Sequence, residues 1–172
     1  MLEILRKRRS IRKFQDRPLT REQKGALEEA ILRAPSAKNL KSWEFIMVDD
    51  KEILQKLSEV RGGSSSFLAG SSVAIVVLGN EEVADTWVED ASLAAIIAQL
   101  TATSLGLGSC WAHIRNRDHS PQKTAEDHVR ELLDISRPFR VVCVIGIGHP
   151  AEEKLPVPKE ELPFEKIHRN RF

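Results

Sequence analysis

The stretch from Ala91 to Leu105 is apolar almost all round, with Leu93, Ala94, Ala95, Ile96, Ile97, Ala98 and Leu100 in close succession. A helix without a polar face is covered on every side, so it belongs at the centre of the molecule or at a subunit interface. Asp90 is expected to open it, and Leu-Gly-Leu-Gly-Ser at 105–109 breaks it. Three apolar runs are available to pack against it. Trp43–Val48 alternates and is β-branched toward its end. Val73–Leu78 is continuous and bounded by Ser and Gly, as expected of a strand buried on both faces. Val141–Ile147 is the third, ended by Gly148, His149 and Pro150.

The remaining chain supplies helices and loops. Leu2, Ile4 and Leu5 predict a short first helix. Thr20 with Gln23 forms a capping box for a second, whose Leu27, Ala30, Ile31 and Ala34 share a face until Pro35 stops it. Asp49 and Asp50 start a third that runs through Val60 to Gly62 and Gly63, and Thr124 caps a fourth through Leu133. Gly-Gly-Ser-Ser-Ser at 62–66 is too short for an interdomain linker, and Cys110–Gln122 has no clear periodicity. From Pro150 on the chain holds four of its eight prolines, and Ala151–Phe172 predicts an extended arm. The pattern is α+β: a few strands in one sheet with helices packed on it.

Composition excludes several function classes. At 172 residues, 41% hydrophobic and 30% charged, the chain predicts a single domain, residues 1–172, with a core that needs no disulfide or metal. No apolar run approaches the roughly 20 residues of a membrane span, and no secretory leader is expected. Cys110 and Cys143 are lone and read as reduced, which suits a cytoplasmic protein. Five scattered histidines lack ligand spacing, so no metal is expected. A net charge of +1 speaks against a dedicated nucleic-acid binder.

Yet the amino terminus is basic, with seven Lys or Arg against two acids between Met1 and Pro18. In an extended segment Arg8, Ser10 and Arg12 would face one way. Two guanidiniums flanking a hydroxyl suit phosphate, because Arg presents paired donors to its oxygens. A solvated basic face is the competing reading. The Pro35–Ser42 loop carries Ser36 and Asn39 as hydrogen-bonding groups, or is simply a turn.

Arg-Arg-Ser-Ile-Arg-Lys-Phe at 8–14, followed by Ala-Pro-Ser-Ala-Lys-Asn-Leu-Lys-Ser-Trp-Glu-Phe at 34–45, resembles the flavin-dependent nitroreductase superfamily. So do Asp90–Trp111, Gly146–Pro150 and Leu-Pro-Phe-Glu-Lys-Ile-His at 162–168, and together these cover nearly the whole chain. The resemblance implies a three-layer fold, a mostly antiparallel central sheet flanked by helices, in an obligate homodimer with swapped carboxyl-terminal arms and FMN at the subunit interface. It implies that Arg8 and Ser10 bind the FMN phosphate, with Arg9 among the cofactor-binding residues, and that Arg12 lies near N1 and O2 of the ring. A fixed cation there stabilises negative charge on the reduced flavin. Pro35, Ser36, Ala37 and Asn39 match the loop that reaches the flavin from the other subunit, with Lys38 left to solvent.

By the same resemblance Trp111, Ala112, His113 and Ile114 run beside the N5 edge and act through backbone. His113 is either a contact or a plain loop histidine. Ser66 is a candidate for the pyrimidine edge, and Gly106 and Gly108 for the tight turn. Relatives often carry Lys-x-Arg-Leu-Pro near the end, where this chain has Lys159-Glu160-Glu161-Leu162-Pro163. Lys159 keeps one phosphate cation and Glu161 replaces the other. Arg115–Gln122 is the candidate lid. The implied activity is FMN-dependent hydride transfer from NAD(P)H to a small-molecule acceptor such as a nitroaromatic or quinone, with no catalytic side chain. A dedicated flavin dehydrogenase or dehalogenase, and a non-enzymatic flavin or redox-sensing module, are the alternatives.

Overall fold

The computed structural model describes residues 1–172. Its frame is one antiparallel sheet in the order β1 (Trp43–Val48), β2 (Val73–Asn80), β6 (Phe139–Gly148), β3 (Gly108–His113). It is flanked by α2 (Arg21–Leu32), α3 (Lys51–Ser58), α4 (Trp87–Ser104), α5 (Ala125–Leu132) and the short hairpin of β4 (Asp118–Ser120) and β5 (Lys123–Thr124). A first helix, α1 (Leu2–Lys7), lies against α4.

Alternation on the strands sorts the core into two layers. Val73, Ile75 and Val77 of β2 pack with Leu27 and Ile31 of α2 and Ala91, Ala95 and Ala98 of α4. Ala74, Val76 and Leu78 pack with Leu54 and Leu57 of α3 and Val129 of α5 on the opposite face. The sheet is thus sandwiched between two helical layers, a three-layer α+β fold as expected. Arg140 on β6 ties α5 to the sheet through a bidentate pair with the buried Glu126 (2.6 and 2.9 Å) and a third bond to Glu81 (2.7 Å). These contacts push the Arg140 guanidinium pKa upward.

Three expectations need correction. The stretch from Cys110, without periodicity in the sequence, begins inside a strand: Gly108–His113 is β3, an edge strand. Gly-Ser-Cys-Trp-Ala-His lacks β-branched residues, so its strand character comes from pairing with β6 and not from propensity. Asp90 does not open the central helix, which begins at Trp87. And α4 is not buried all round. Its alanines face the sheet, whereas Leu93 stays exposed and Ile96, Ile97 and Leu100 are half-buried. Small residues inside let helix and sheet approach closely, leaving the bulky ones on the outer face.

Candidate active site

Beyond α1 the chain becomes extended, with Arg8 at φ −62 and ψ 121. Ser10 then forms a parallel bridge to Ser109 at the start of β3, and the Ile11 amide donates to the Ser109 carbonyl (2.9 Å). Gly108 makes this approach possible. A Cβ there would lie 2.8 Å from Ile11 Cβ and Cγ2, closer than carbon atoms tolerate. Only Gly106, at φ +72, serves the turn before β3, so the two glycines have separate roles.

A second clasp comes from the segment after β6. Glu152 Oε1 accepts from the Arg12 amide (2.5 Å) and the Lys13 amide (3.2 Å). Lys154 Nζ donates to the Ser10 carbonyl (2.7 Å) and lies 3.4 Å from Glu152. The Arg9 guanidinium donates to the Leu155 carbonyl. The Arg12 side chain is free of any carboxylate and exposed. Beneath the clasp, burial raises the Cys110 thiol pKa, although the charges of Arg12 and Lys154 act in the opposite direction. Arg8, Arg9, Ser10, Arg12 and Lys154 therefore gather at one end of β3. Lys154 carried no sequence signal, because its spacing from Ser10 exists only once the tail folds back.

The edge of β3 continues the site. The Ser109 carbonyl points away from β6, whereas the Ile114 amide bonds back to Val142 (3.1 Å). Strand alternation then aims the N–H groups of Trp111 and His113 off the sheet edge. Ala112 and Ile114 are fully buried, so their side chains contribute core and not contacts. Trp111 Nε1 donates to His113 Nδ1 (3.4 Å), and the two rings stack at 6.3 Å. Burial, followed by the fields of Arg117, Arg61 and Arg115, holds the His113 imidazole below its ordinary 6.5.

The Pro35–Ser42 loop is built differently. Lys38, Asn39 and Lys41 have φ of 50, 57 and 52. Three left-handed non-glycine residues in four positions are costly, and such strain persists only where surroundings enforce it. Asp90 enforces it. From the first turn of α4 its buried carboxylate accepts from the Ala37 amide (2.9 Å) and the Ser42 hydroxyl (2.7 Å). Ser36 Oγ adds a bond from the Lys41 amide (2.8 Å). An acid inside an apolar helix was the signal available in the sequence, since a buried charge requires partners.

Within one chain the two groups stay apart. The loop hangs on Asp90, whereas Gln99 of α4 faces Ser109 near the Arg8–Arg12 segment (3.4 Å). At a rise of 1.5 Å per residue these points lie about 14 Å apart along the helix. Lys159 and Glu161 are exposed on the arm, and Lys38 is exposed as expected. Ser66 is exposed too, its hydroxyl bonded to the Gly63 carbonyl (3.0 Å). The candidate lid, Arg115–Gln122, comprises the turn at Asn116 and strand β4, where His119 stacks on His128 at 3.9 Å and bonds the Val60 carbonyl (3.0 Å).

Comparison with known proteins places this architecture. The model of the nitroreductase family matches residues 5–62 and 59–149. A protein from Archaeoglobus fulgidus, named as an NADH dehydrogenase/NAD(P)H nitroreductase, is 36% identical over 89% of this chain and 87% of its own. An FMN-dependent nitroreductase from Clostridium difficile R20291 superposes with a TM-score of 0.98 at 44% identity, covering all of both chains. A structure from Parabacteroides distasonis, also named as an NADH dehydrogenase/NAD(P)H nitroreductase, gives 0.89 at 30% identity over 99% of this chain and 98% of that one. The chain belongs to the nitroreductase family.

Proposed function

We propose that this chain is an FMN-dependent oxidoreductase that passes electrons from NAD(P)H to a small oxidised acceptor such as a nitroaromatic or a quinone. The observation that carries the reading is the cationic Arg8–Arg12 segment laid against the open edge of β3. The donor set suits a flavin mononucleotide, which needs cations for its dianionic phosphate, a cation near its pyrimidine and an amide at its redox edge. Arg8, Arg9 and Ser10 would hold the phosphate. Lys154 supplies a cation in the same cluster, offsetting the acid at Glu161. Arg12, with a side chain unpaired to any carboxylate, would face the ring where negative charge accumulates. The N–H groups of Trp111 and His113 are the amides available at the other side.

When bound, FMN supplies a two-electron carrier that accepts and returns hydride at N5. The chain's residues hold, orient and polarise; none is required as a proton donor or nucleophile. The names of the relatives agree with this chemistry, one being an FMN-dependent nitroreductase and others NAD(P)H nitroreductases.

The working form is a homodimer. About 14 Å along α4 separates the two groups within one chain, so Pro35, Ser36, Ala37 and Asn39 would meet the flavin held by a second copy. The outer face of α4, with Leu93 exposed, and the apolar arm residues Leu155, Phe164 and Ile167 supply the surface that a second copy covers. Lys159 on that arm would then reach the partner's phosphate. No helix is long and apolar enough to cross a membrane, and with both cysteines free we place the enzyme in the cytoplasm.

Purification tests the reading at once. The protein should be yellow, release FMN on denaturation, and oxidise NAD(P)H when a nitroaromatic or quinone is added. A colourless protein that takes up no FMN on titration contradicts it, and a yellow protein without NAD(P)H oxidation identifies a binding module in place of an enzyme.

A further inference from the structure

Past His113 the chain turns sharply on Asn116, a non-glycine residue at φ +54, and the Arg117 amide returns to the Ile114 carbonyl (3.2 Å). This turn places Arg115 and Arg117 on either side of it. From the loop after α3, Arg61 reaches across to donate through Nη1 to the His113 carbonyl (3.1 Å). Burial lowers the pKa of the His113 imidazole, and the fields of all three guanidiniums lower it further.

None of the three is in an ion pair, whereas Arg137 and Arg140 nearby are paired with Glu81 and Glu126. The Arg115 guanidinium lies 5.5 Å over the Trp87 ring, which fixes it without neutralising it. Three like charges around the end of β3, none of them neutralised by an ion pair of its own, repel one another and attract an anion. Their place is the end of β3 whose free amides face outward, next to the redox edge of the proposed flavin.

We infer that Arg61, Arg115 and Arg117 form an anion subsite that receives the charged group of a substrate, either the carboxylate of an aromatic acceptor or the 2′-phosphate that distinguishes NADPH from NADH. The inference rests on the flavin reading above. Guanidinium forks match the two oxygens of either anion and discriminate them from a neutral group. The subsite makes this enzyme selective among molecules of similar reducibility by charge and not by ring shape.

The test is steady-state kinetics of the flavin-loaded protein with matched partners. Para-nitrobenzoate is compared with para-nitrobenzyl alcohol, and NADPH with NADH, in wild type and in a double Arg61→Gln, Arg117→Gln variant. Benzoate binding to the oxidised protein, read as a shift of the flavin absorbance band, gives a readout independent of turnover. A rise in KM of about ten-fold for para-nitrobenzoate alone, with benzoate binding weakened, assigns the subsite to the acceptor. The same selective rise for NADPH alone assigns it to the donor. Equal changes for the two members of each pair, or none, overturn the subsite while bound flavin keeps the underlying reading intact. Dimer dissociation in the variant without a selective KM change also overturns it, assigning the arginines to the subunit contact. A wild type that carries no flavin overturns both.

Discussion

The Arg8–Lys13 segment and the Pro35–Ser42 loop carry the polar residues of the proposed site, and they are held by opposite means. The first is extended and unstrained, secured at several points: the Ser109 carbonyl, Glu152 and Lys154. The second is strained at Lys38, Asn39 and Lys41 and takes its side-chain anchorage from one buried carboxylate, Asp90, beside a backbone bond from the Asn80 amide to the Ser42 carbonyl (2.7 Å). Distributed contacts tolerate the loss of one member, whereas a single anchor does not. The segment is therefore rigid because the sheet beside it is rigid, and the loop because a charge within α4 holds it.

Asp90→Ala should break the comparison most severely. It strands the Ala37 amide and the Ser42 hydroxyl and releases the strain in the loop, at a cost of roughly 3 kcal/mol. Urea denaturation should show that loss, and FMN affinity should fall with it; unchanged stability would mean that the loop has another anchor. Gly108→Ala attacks the segment instead. The added Cβ meets Ile11, so Ile11 must move off β3, costing about 2 kcal/mol and weakening FMN binding, which a flavin titration would follow. Arg12→Ala leaves the backbone clasp intact, since Glu152 holds its amide and not its side chain. It should slow anaerobic flavin reduction by about ten-fold or more while nicotinamide binding changes little.

Acid provides a smaller effect that touches neither region. His113 and His128 both have pKa values held below 6.5, His113 by burial and three arginines, His128 by burial, His119 and Lys123. A depressed histidine pKa means that the unfolded chain binds more protons, so its contribution is present above 6.5 and is lost as pH falls through the folded value. Thermal stability should therefore decline from pH 7 toward pH 5, and His113→Gln with His128→Gln should flatten the decline. Smallest of all, Asn39→Gly should relieve left-handed strain and raise the melting temperature slightly, by up to about 1 kcal/mol of stability. A destabilised variant would place the Asn39 side chain among the loop's anchors.

The three apolar strands, the Thr20 capping box and the α+β class were legible because periodicity and capping are local signals, whereas the three-layer arrangement was implied by the family resemblance. What escaped depends on partners distant in sequence. Strand β3 has no β-branched residue and is made a strand by β6. Asp90 reads as a helix start, yet its work is to hold a loop more than forty-five residues earlier. The left-handed residues are Lys and Asn, not Gly, so no glycine marks the strained turn. Lys154 joins the cationic group through Ser10, separated from it by almost the whole chain. In the site, residue types were readable in the basic segment, whereas the distance between its two halves required the helix between them.

The central claim is that these halves meet only between two copies, and subunit mixing tests it most directly. One variant carries Arg8→Ala with Arg12→Ala, the other Asp90→Ala, and FMN bound per chain is measured for each and for the two refolded together. In a shared site each homodimer has two broken sites, but a mixed dimer has one site with both halves intact and one with neither. The account predicts little FMN in either variant alone and recovery toward about one FMN per four chains in an equal mixture. A mixture that binds no more FMN than its components would contradict it, because a site built within one chain cannot be repaired by its neighbour.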